Sequence, residues 1–166
     1  MTRSRIEALQ RTAMFGAINE ETILLLLERA KVVEVAAGEY YFQEGERGNS
    51  AYLLEAGEIT VLKEWGNERH VLRRLAAGDC FGEVALLDFG KRSASILADV
   101  DTRALEISAT DLQAVAKRDP EQFALIYMNL GRELSRRLRD ADDRLFRARF
   151  EDSSFSEGYA FAAYSL

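Results

Sequence analysis

Cysteine and histidine, which supply most covalent cross-links and metal ligands, are almost missing from this chain. Its 166 residues include one cysteine, Cys80, and one histidine, His70. A lone cysteine excludes an internal disulfide, and the two residues together are too few for a structural zinc site. No signature of an activated nucleophile accompanies them. We therefore expect neither a metal ligand set nor a catalytic residue, and we expect that the protein is not an enzyme.

Long apolar runs and a surplus of positive charge are also missing. No run is long enough to span a bilayer and no charged-then-apolar leader is visible, which predicts a soluble cytoplasmic protein with no membrane partner. The chain carries 22 basic and 28 acidic side chains, a formal net charge of −6. This balance disfavours nucleic acid as the main ligand. Because 48% of the residues are hydrophobic, the chain can bury one sizeable core, and we expect a single domain.

Glycines punctuate the middle of the chain, where short apolar runs alternate with turns. In residues 32–107 this pattern predicts a small antiparallel β-barrel or jelly roll. The stretch AYLLEAGEITVL predicts two strands joined at a tight turn around Gly57, and LKEWGNERHVL predicts two more joined at Gly66 and Asn67. Residues 104–108 would form the last strand.

Helical periodicity flanks this region on both sides. Apolar residues recur among glutamates in residues 6–31, which predicts short helices. At residues 119–122 an aspartate, a proline and a glutamine provide an N-cap, a first helical residue and a capping-box partner, so a long helix should begin there. The predicted fold class is α+β, an antiparallel β-barrel or jelly roll with N-terminal helices and a long C-terminal helix.

The long helix carries apolar residues at spacings of four and three, close to those of a heptad seam. These residues are Leu130, Leu134, Leu138, Ala141 and Leu145. Such a seam predicts a homodimer. Packing of the same stripe on the chain's own barrel is the alternative that the spacing leaves open.

The sequence FGEVALLDFGKRSASI, residues 81–96, combines a glycine, an acid and a base in an unusual order. We interpret it as a turn into a short helix, where Gly82 lets the backbone approach a ligand and free amides attract an anion. Arg92 would supply a fork of donors to a phosphate. A carboxylate repels phosphate, so Glu83 should orient Arg92 and accept hydrogen bonds from hydroxyls such as those of a ribose. Phosphate and sugar hydroxyl together indicate a nucleotide.

This segment resembles the phosphate-binding cassette of the cyclic-nucleotide-binding domain family. The cassette reads F-G-E, an aliphatic residue, a small residue, L, an aliphatic residue, a short loop, then R, a small residue and A, and every position matches here. The spacing of nine between Glu83 and Arg92 is also that of the regulatory subunits of cyclic-AMP-dependent kinase. The resemblance covers residues 6–145 and includes the bacterial catabolite activator.

The resemblance implies roles for individual residues. Glu83 would accept the ribose 2′-hydroxyl and Arg92 would hold the exocyclic phosphate. The remaining ligand-binding positions implied by the cassette are Gly82, Val84, Ala85, Ser93 and Ala94. At the position of Ser93 the family has Ala in kinase subunits, Thr where cyclic GMP is preferred and Ser in the catabolite activator. We therefore expect cyclic AMP as the ligand, with cyclic GMP as the alternative.

The sequence departs from the catabolite activator on its long helix and after it. The activator caps the adenine with an adjacent Thr-Ser pair, whereas the stretch SRRLRDADDRL offers only Ser135, Arg137, Arg139 and Asp142. A degenerate pocket therefore stays open as an alternative. The activator also continues into a helix-turn-helix module, for which the sixteen residues after Phe150 are too few. Direct DNA binding is not expected.

These observations divide the chain and assign it a function. Residues 1–150 would form the cyclic-nucleotide-binding domain with its long helix, and residues 151–166 would form an aromatic-containing tail that either covers the base or is an unstructured chain end. The expected function is a stand-alone sensor that relays nucleotide binding to an unidentified protein partner through the long helix. The alternative is a structural or adaptor module that has kept the fold and lost the ligand.

Overall fold

The computed structural model describes residues 3–66 and 68–151. Its helices are α1 (Arg3–Gln10), α2 (Glu20–Arg29), α3 (Glu83–Asp88), α4 (Ala109–Arg118) and α5 (Pro120–Glu151). Its strands are β1 (Lys31–Val35), β2 (Tyr40–Phe42), β3 (Ser50–Ala56), β4 (Glu58–Trp65), β5 (Glu68–Ala76), β6 (Cys80–Phe81), β7 (Ser95–Ala98) and β8 (Thr102–Ser108). The aromatic tail predicted to cover the base lies, apart from Glu151, outside these described residues.

The strands form two four-stranded antiparallel sheets. Their orders are β1-β8-β3-β6 and β2-β7-β4-β5. Strand β8 lies between β1 and β3, with Ser50 opposite Ser108 and Tyr52 opposite Glu106. The predicted α+β fold with a jelly-roll arrangement is confirmed, although the sheets do not close into a barrel.

The two predicted glycine turns join different kinds of strand pair. Gly57 has φ +93° between β3 and β4, but these strands belong to different sheets, so the chain crosses from one sheet to the other there. A Cβ at Gly57 would lie 2.8 Å from the Asp101 carbonyl oxygen, which leaves room only for glycine. Strands β4 and β5 form a hairpin in which Trp65 pairs with Glu68.

Two apolar clusters stabilise the fold. One contains buried residues of α1, α2, α4, α5 and the first sheet, including Ile23, Leu112 and Leu130. The other is rich in aromatic rings, and its Tyr52 and Phe81 rings stack with centroids 5.1 Å apart. The aromatic cluster includes Phe81 and Ile96, the first and last residues of the segment 81–96, so both ends of that segment are packed in a rigid core.

Helix α5 begins where the sequence predicts. The Gln122 amide donates to Asp119 Oδ1 at 3.1 Å, so Asp119 is the N-cap. The predicted capping-box role of Gln122 is wrong, because its Oε1 accepts a hydrogen bond from the Asn19 amide at 2.8 Å. This contact ties the start of α5 to the residue that caps α2.

The boundary between the two compact units of the chain falls inside α5, between Leu130 and Gly131. Leu130 is fully buried in the first apolar cluster, so its predicted contact with a second chain is wrong: its side chain is already packed within one chain. Leu138 and Leu145 are 62% and 53% exposed. Over residues 3–66 and 68–151, no helix combines the length and apolar character that a bilayer span requires.

Candidate functional site

Gly82 turns the chain from β6 into α3. Its φ of +74° is left-handed, and it stands at the N-cap position before Glu83. A Cβ at this position would lie 2.7 Å from Arg92 Nη1 and 3.2 Å from the Phe42 ring. Glycine is therefore required twice, by the backbone conformation and by the close approach of Arg92. The predicted turn into a short helix is confirmed.

Arg92 is buried and held by three hydrogen bonds. Its side chain is 5% exposed. Nη1 donates to the carbonyl oxygens of Ser50 at 2.7 Å and Gly82 at 2.8 Å, and Nη2 donates to Ser50 Oγ at 3.1 Å. The guanidinium carbon lies 4.0 Å from the centroid of the Phe42 ring. Charge-assisted bonds and the aromatic face together fix its orientation.

Gly48 lies against the other side of the guanidinium. A Cβ at Gly48 would be 2.3 Å from Arg92 Nε and 2.4 Å from Cζ. Arg92 thus lies between two glycines, Gly48 and Gly82, and any side chain at either position would displace it. From the sequence alone, Gly48 is one of many glycines predicted to lie in turns, and nothing predicts its contact with Arg92.

Glu83 is the second buried charge of the site. It is 2% exposed and begins α3. Burial lowers the pKa of Arg92 from its ordinary value, while electrostatic interactions with Tyr52 and with the carboxylates of Glu106, Glu46 and Glu83 act in the opposite direction. Buried charges are costly unless they are compensated, so their presence here indicates a polar site rather than ordinary core.

A small cavity opens beside these groups. Its volume is about 30 Å³, and it is lined by Phe42, Gly82, Val84, Ala85, Arg92, Ser93, Ala94 and Ile96. Six of the seven predicted ligand-binding residues therefore line one cavity, and the seventh, Glu83, adjoins them in the chain. A space of this size holds about two or three water-sized groups. Because Arg92 lines this space, a group inside it would lie beside a positive charge.

The residues proposed as substitutes for the adenine cap lie on the distal segment of α5, which we define as residues 131–150. Ser135 Oγ donates to the Gly131 carbonyl at 2.8 Å, and Arg137 Nε donates to Glu133 Oε1 at 2.7 Å. Arg139 and Asp142 are exposed. The hydroxyl of Ser135 and the guanidinium of Arg137 thus already have partners within the helix.

Sequence reasoning missed Ser50, Phe42 and Glu106 as parts of the site. Ser50 and Phe42 precede Arg92 by 42 and 50 residues, and they reach it because β3 and β2 bring them there. Glu106 connects to Ser50 across the β3–β8 pair. Local spacing carries no signal for such contacts, since they depend on strand order.

Comparisons with known proteins agree with this geometry. The family model described as a cyclic nucleotide-binding domain matches residues 32–119. The cyclic AMP receptor protein of Thermus thermophilus is 33% identical over 148 residues, which cover 89% of this chain and 67% of that protein. The cAMP-dependent protein kinase regulatory subunit of Emericella nidulans is 39% identical over 110 residues, which cover 60% of this chain and 26% of that protein.

A solved structure extends the likeness to three dimensions. The crystal structure of the Thermus thermophilus catabolite activator protein shares 33% identity with this chain at a TM-score of 0.73, covering 84% of this chain and 64% of that one. The chain thus spans only part of each relative's length. The family match covers more than half of the sequence and coincides with both sheets, α3 and α4. The chain therefore belongs to the cyclic nucleotide-binding domain family.

Proposed function

We propose that this protein senses a cyclic nucleotide, most specifically cyclic AMP, and relays its binding to a partner protein. One observation carries the proposal: a buried arginine, held in a fixed orientation, borders the cavity that six of the seven predicted ligand residues line. The chain as a whole has a net charge of −6, so the buried arginine provides positive charge at one place, where an anion would bind. Family membership supplies the ligand class.

Arg92 has hydrogen-bonding capacity left for a phosphate. Three of its five N–H groups bond to Ser50 and Gly82, which leaves the Nε–H and one Nη2–H without a partner among the described residues. Two parallel N–H donors match the geometry of a phosphate. Each charge-assisted bond contributes about 1.5–3 kcal/mol, so this arginine supplies a large part of the binding energy.

Glu83 and Ser93 would recognise the rest of the nucleotide. The Glu83 carboxylate accepts hydrogen bonds and would take the ribose 2′-hydroxyl. Ser93 is exposed beside Arg92 and lines the same cavity, so its hydroxyl would contact a ligand bound there. Two relatives are named for cyclic AMP, and the cGMP-dependent protein kinase of Toxoplasma gondii is 38% identical over 86 residues. Cyclic GMP is therefore the competing ligand to test.

The distal segment of α5 would pair two chains. Its Leu138 and Leu145 are more than half exposed, and the Phe146 and Phe150 rings, also exposed, lie 4.4 Å apart. Burial of such side chains is favourable by about 1.5–3 kcal/mol each. The homodimer contact would consist of Leu134, Leu138, Ala141 and Leu145. The same helix would transmit nucleotide binding to the partner protein.

A second candidate is a structural module that binds no nucleotide. It is favoured by the small volume of the cavity and by the three bonds that tie Arg92 to protein atoms. Such a module would keep the sheets and the helices while using Arg92 as a buried structural cross-link.

Calorimetric titration with cyclic AMP and cyclic GMP separates the two candidates. The sensor requires saturable binding that Arg92→Ala weakens by about 2 kcal/mol or more, close to 30-fold. Arg103→Ala is the matched control, because Arg103 is 46% exposed and pairs with Glu55 at 3.1 Å. The control should bind as the unmodified protein does. Failure of the unmodified protein to bind either compound would support the structural module.

A further inference from the structure

A chain of two hydrogen bonds connects the buried Arg92 to a half-buried carboxylate on β8. Arg92 Nη2 donates to Ser50 Oγ at 3.1 Å, and Ser50 Oγ donates to Glu106 Oε1 at 2.9 Å. Ser50 is 3% exposed. The guanidinium and the Glu106 carboxylate are thus separated by a single hydroxyl group.

The same carboxylate is held by a second donor. The Tyr52 hydroxyl donates to Glu106 Oε1 at 3.1 Å, and the Tyr52 ring lies 5.6 Å from the Arg92 guanidinium carbon. Burial raises the pKa of Tyr52 above its ordinary value, and the charge of Glu106 acts in the same direction. Tyr52 therefore stays a neutral donor. Two hydroxyl groups fix Glu106 at this distance from Arg92.

The direct partners of Arg92 are neutral, although its own charge is buried. Two carbonyl oxygens and one hydroxyl accept its hydrogen bonds. A buried guanidinium without an opposite charge is strongly unfavourable. Glu106 is the carboxylate that the hydroxyl of Ser50 connects to Arg92 by hydrogen bonds. Glu46 is exposed, so its field is screened by solvent.

We propose that Glu106 is the resident counter-ion of Arg92 in the ligand-free protein, and that the phosphate of a bound nucleotide takes over this charge. Because Glu106 is fixed one hydroxyl away from Arg92, an incoming phosphate meets its negative charge as well as the guanidinium. Glu106 therefore stabilises the free protein and lowers its affinity for the nucleotide. The second half of this inference rests on the proposed function, whereas the first half is testable without a ligand.

Thermal unfolding of the free protein tests the charge pairing. Glu106→Gln keeps an Oε1 acceptor for Ser50 and Tyr52 and removes the charge with little change of shape. Arg92→Gln removes the charge of the guanidinium and keeps an amide donor on a shorter side chain. We expect Glu106→Gln to lower Tm by about 3 °C or more in the unmodified background and to have no such effect beside Arg92→Gln. Additive effects would overturn the inference. Glu46→Gln, at an exposed carboxylate, is the matched control and should be additive.

Titration with cyclic AMP tests the exchange of charges. Glu106→Gln should bind about threefold to tenfold more tightly than the unmodified protein, and Glu46→Gln should bind unchanged. A residue with a merely structural role would weaken binding when altered, so equal or weaker binding by Glu106→Gln overturns the inference. If the unmodified protein binds no cyclic nucleotide, the proposed function fails, and the unfolding experiment still decides the counter-ion.

A folding defect in the single variant has its own test. If Glu106→Gln alone does not fold, the double variant with Arg92→Gln should fold, because the guanidinium that Glu106 would neutralise is then absent too. Circular dichroism of both proteins measures this directly. Failure of the double variant to recover would contradict the assignment of Glu106 as the counter-ion.

Discussion

The segment 81–96 and the distal segment of α5 contain similar residue types and place them in opposite environments. In the first, the charged side chains of Glu83 and Arg92 are 2% and 5% exposed. In the second, every residue from 138 to 150 is exposed, and this includes leucine and phenylalanine as well as arginine. In the first region, polar groups of the same chain accept the hydrogen bonds of the buried guanidinium. Apolar surface is left uncovered by the described residues in the second.

This difference in exposure indicates how each region can contribute to function. A buried, hydrogen-bonded arginine is preorganised, so a ligand that reaches it pays little to order the site. An exposed apolar stripe gains its stabilisation only when a second surface covers it. We therefore assign ligand recognition to the first region and association to the second, and the predictions below are arranged to break this division.

Adding a methyl group to a glycine that contacts Arg92 and to a glycine of α5 should have opposite effects. Gly48→Ala would place Cβ 2.3 Å from Arg92 Nε, so we expect a loss of cyclic AMP affinity of about 30-fold or more and a stability loss of about 1–3 kcal/mol. Gly131→Ala meets no atom within 4 Å and lies inside α5, so it should stabilise the protein by about 0.5–1 kcal/mol without changing affinity. Calorimetric titration and urea unfolding measure both. Normal binding by Gly48→Ala would mean that Arg92 does not hold the ligand.

Charging the exposed stripe should disrupt association and spare the site. Replacement of Leu138 and Leu145 by glutamate puts like charges into the proposed seam, and we expect the dimer dissociation constant to rise about tenfold or more. Sedimentation equilibrium checks this. Val100→Glu, at a residue that is 46% exposed outside α5, is the control and should not change the mass. A protein that is monomeric before any substitution would contradict the division of roles.

The sequence predicted features that depend on neighbouring residues. The turn at Gly82, the strand at residues 104–108 and the start of α5 at Pro120 each follow from local turn chemistry, periodicity or capping. The same holds for the residues that line the cavity, because most of them belong to one continuous segment.

Contacts between distant strands could not be predicted in the same way. Gly48 and Ser50 meet Arg92 because residues 45–47 pair with residues 91 and 92 just before β3 begins, and periodicity does not specify such pairings. The stripe on α5 shows a second limit. Leu130 and Leu138 belong to the same predicted apolar stripe, yet one is fully buried and the other is 62% exposed. The spacing of apolar residues identifies the apolar face of a helix. Whether that face is buried depends on the part of the fold that packs against it.

An aromatic ring should also matter more beside Arg92 than on α5. Phe42 is 7% exposed and its ring lies 4.0 Å from the guanidinium carbon, so Phe42→Leu removes both a packed ring and a cation–π contact. We expect cyclic AMP affinity to fall about fivefold. Phe146→Leu, at a residue that is 62% exposed, should leave affinity unchanged. Equal effects in the two titrations would show that Phe42 does not orient Arg92.

The smallest effect should come from an ion pair at the surface of the site region. Lys63 Nζ lies 2.7 Å from Glu44 Oε1, and this hydrogen bond lowers the pKa of Glu44 from its ordinary value. A lowered folded-state pKa stabilises the protein above the ordinary glutamate pKa of about 4.3, and this stabilisation is lost as the pH falls through the folded-state value. Lys63→Met should therefore lower Tm slightly near neutral pH, and the difference should disappear in acid. Melting curves over a pH series measure it, and a difference that persists in acid would assign the effect to packing of the Lys63 stem. Lys63 is 52% exposed, so its ion pair with Glu44 is weak although the distance is short. Arg92 is 5% exposed, and this burial makes its interactions stronger than those of Lys63.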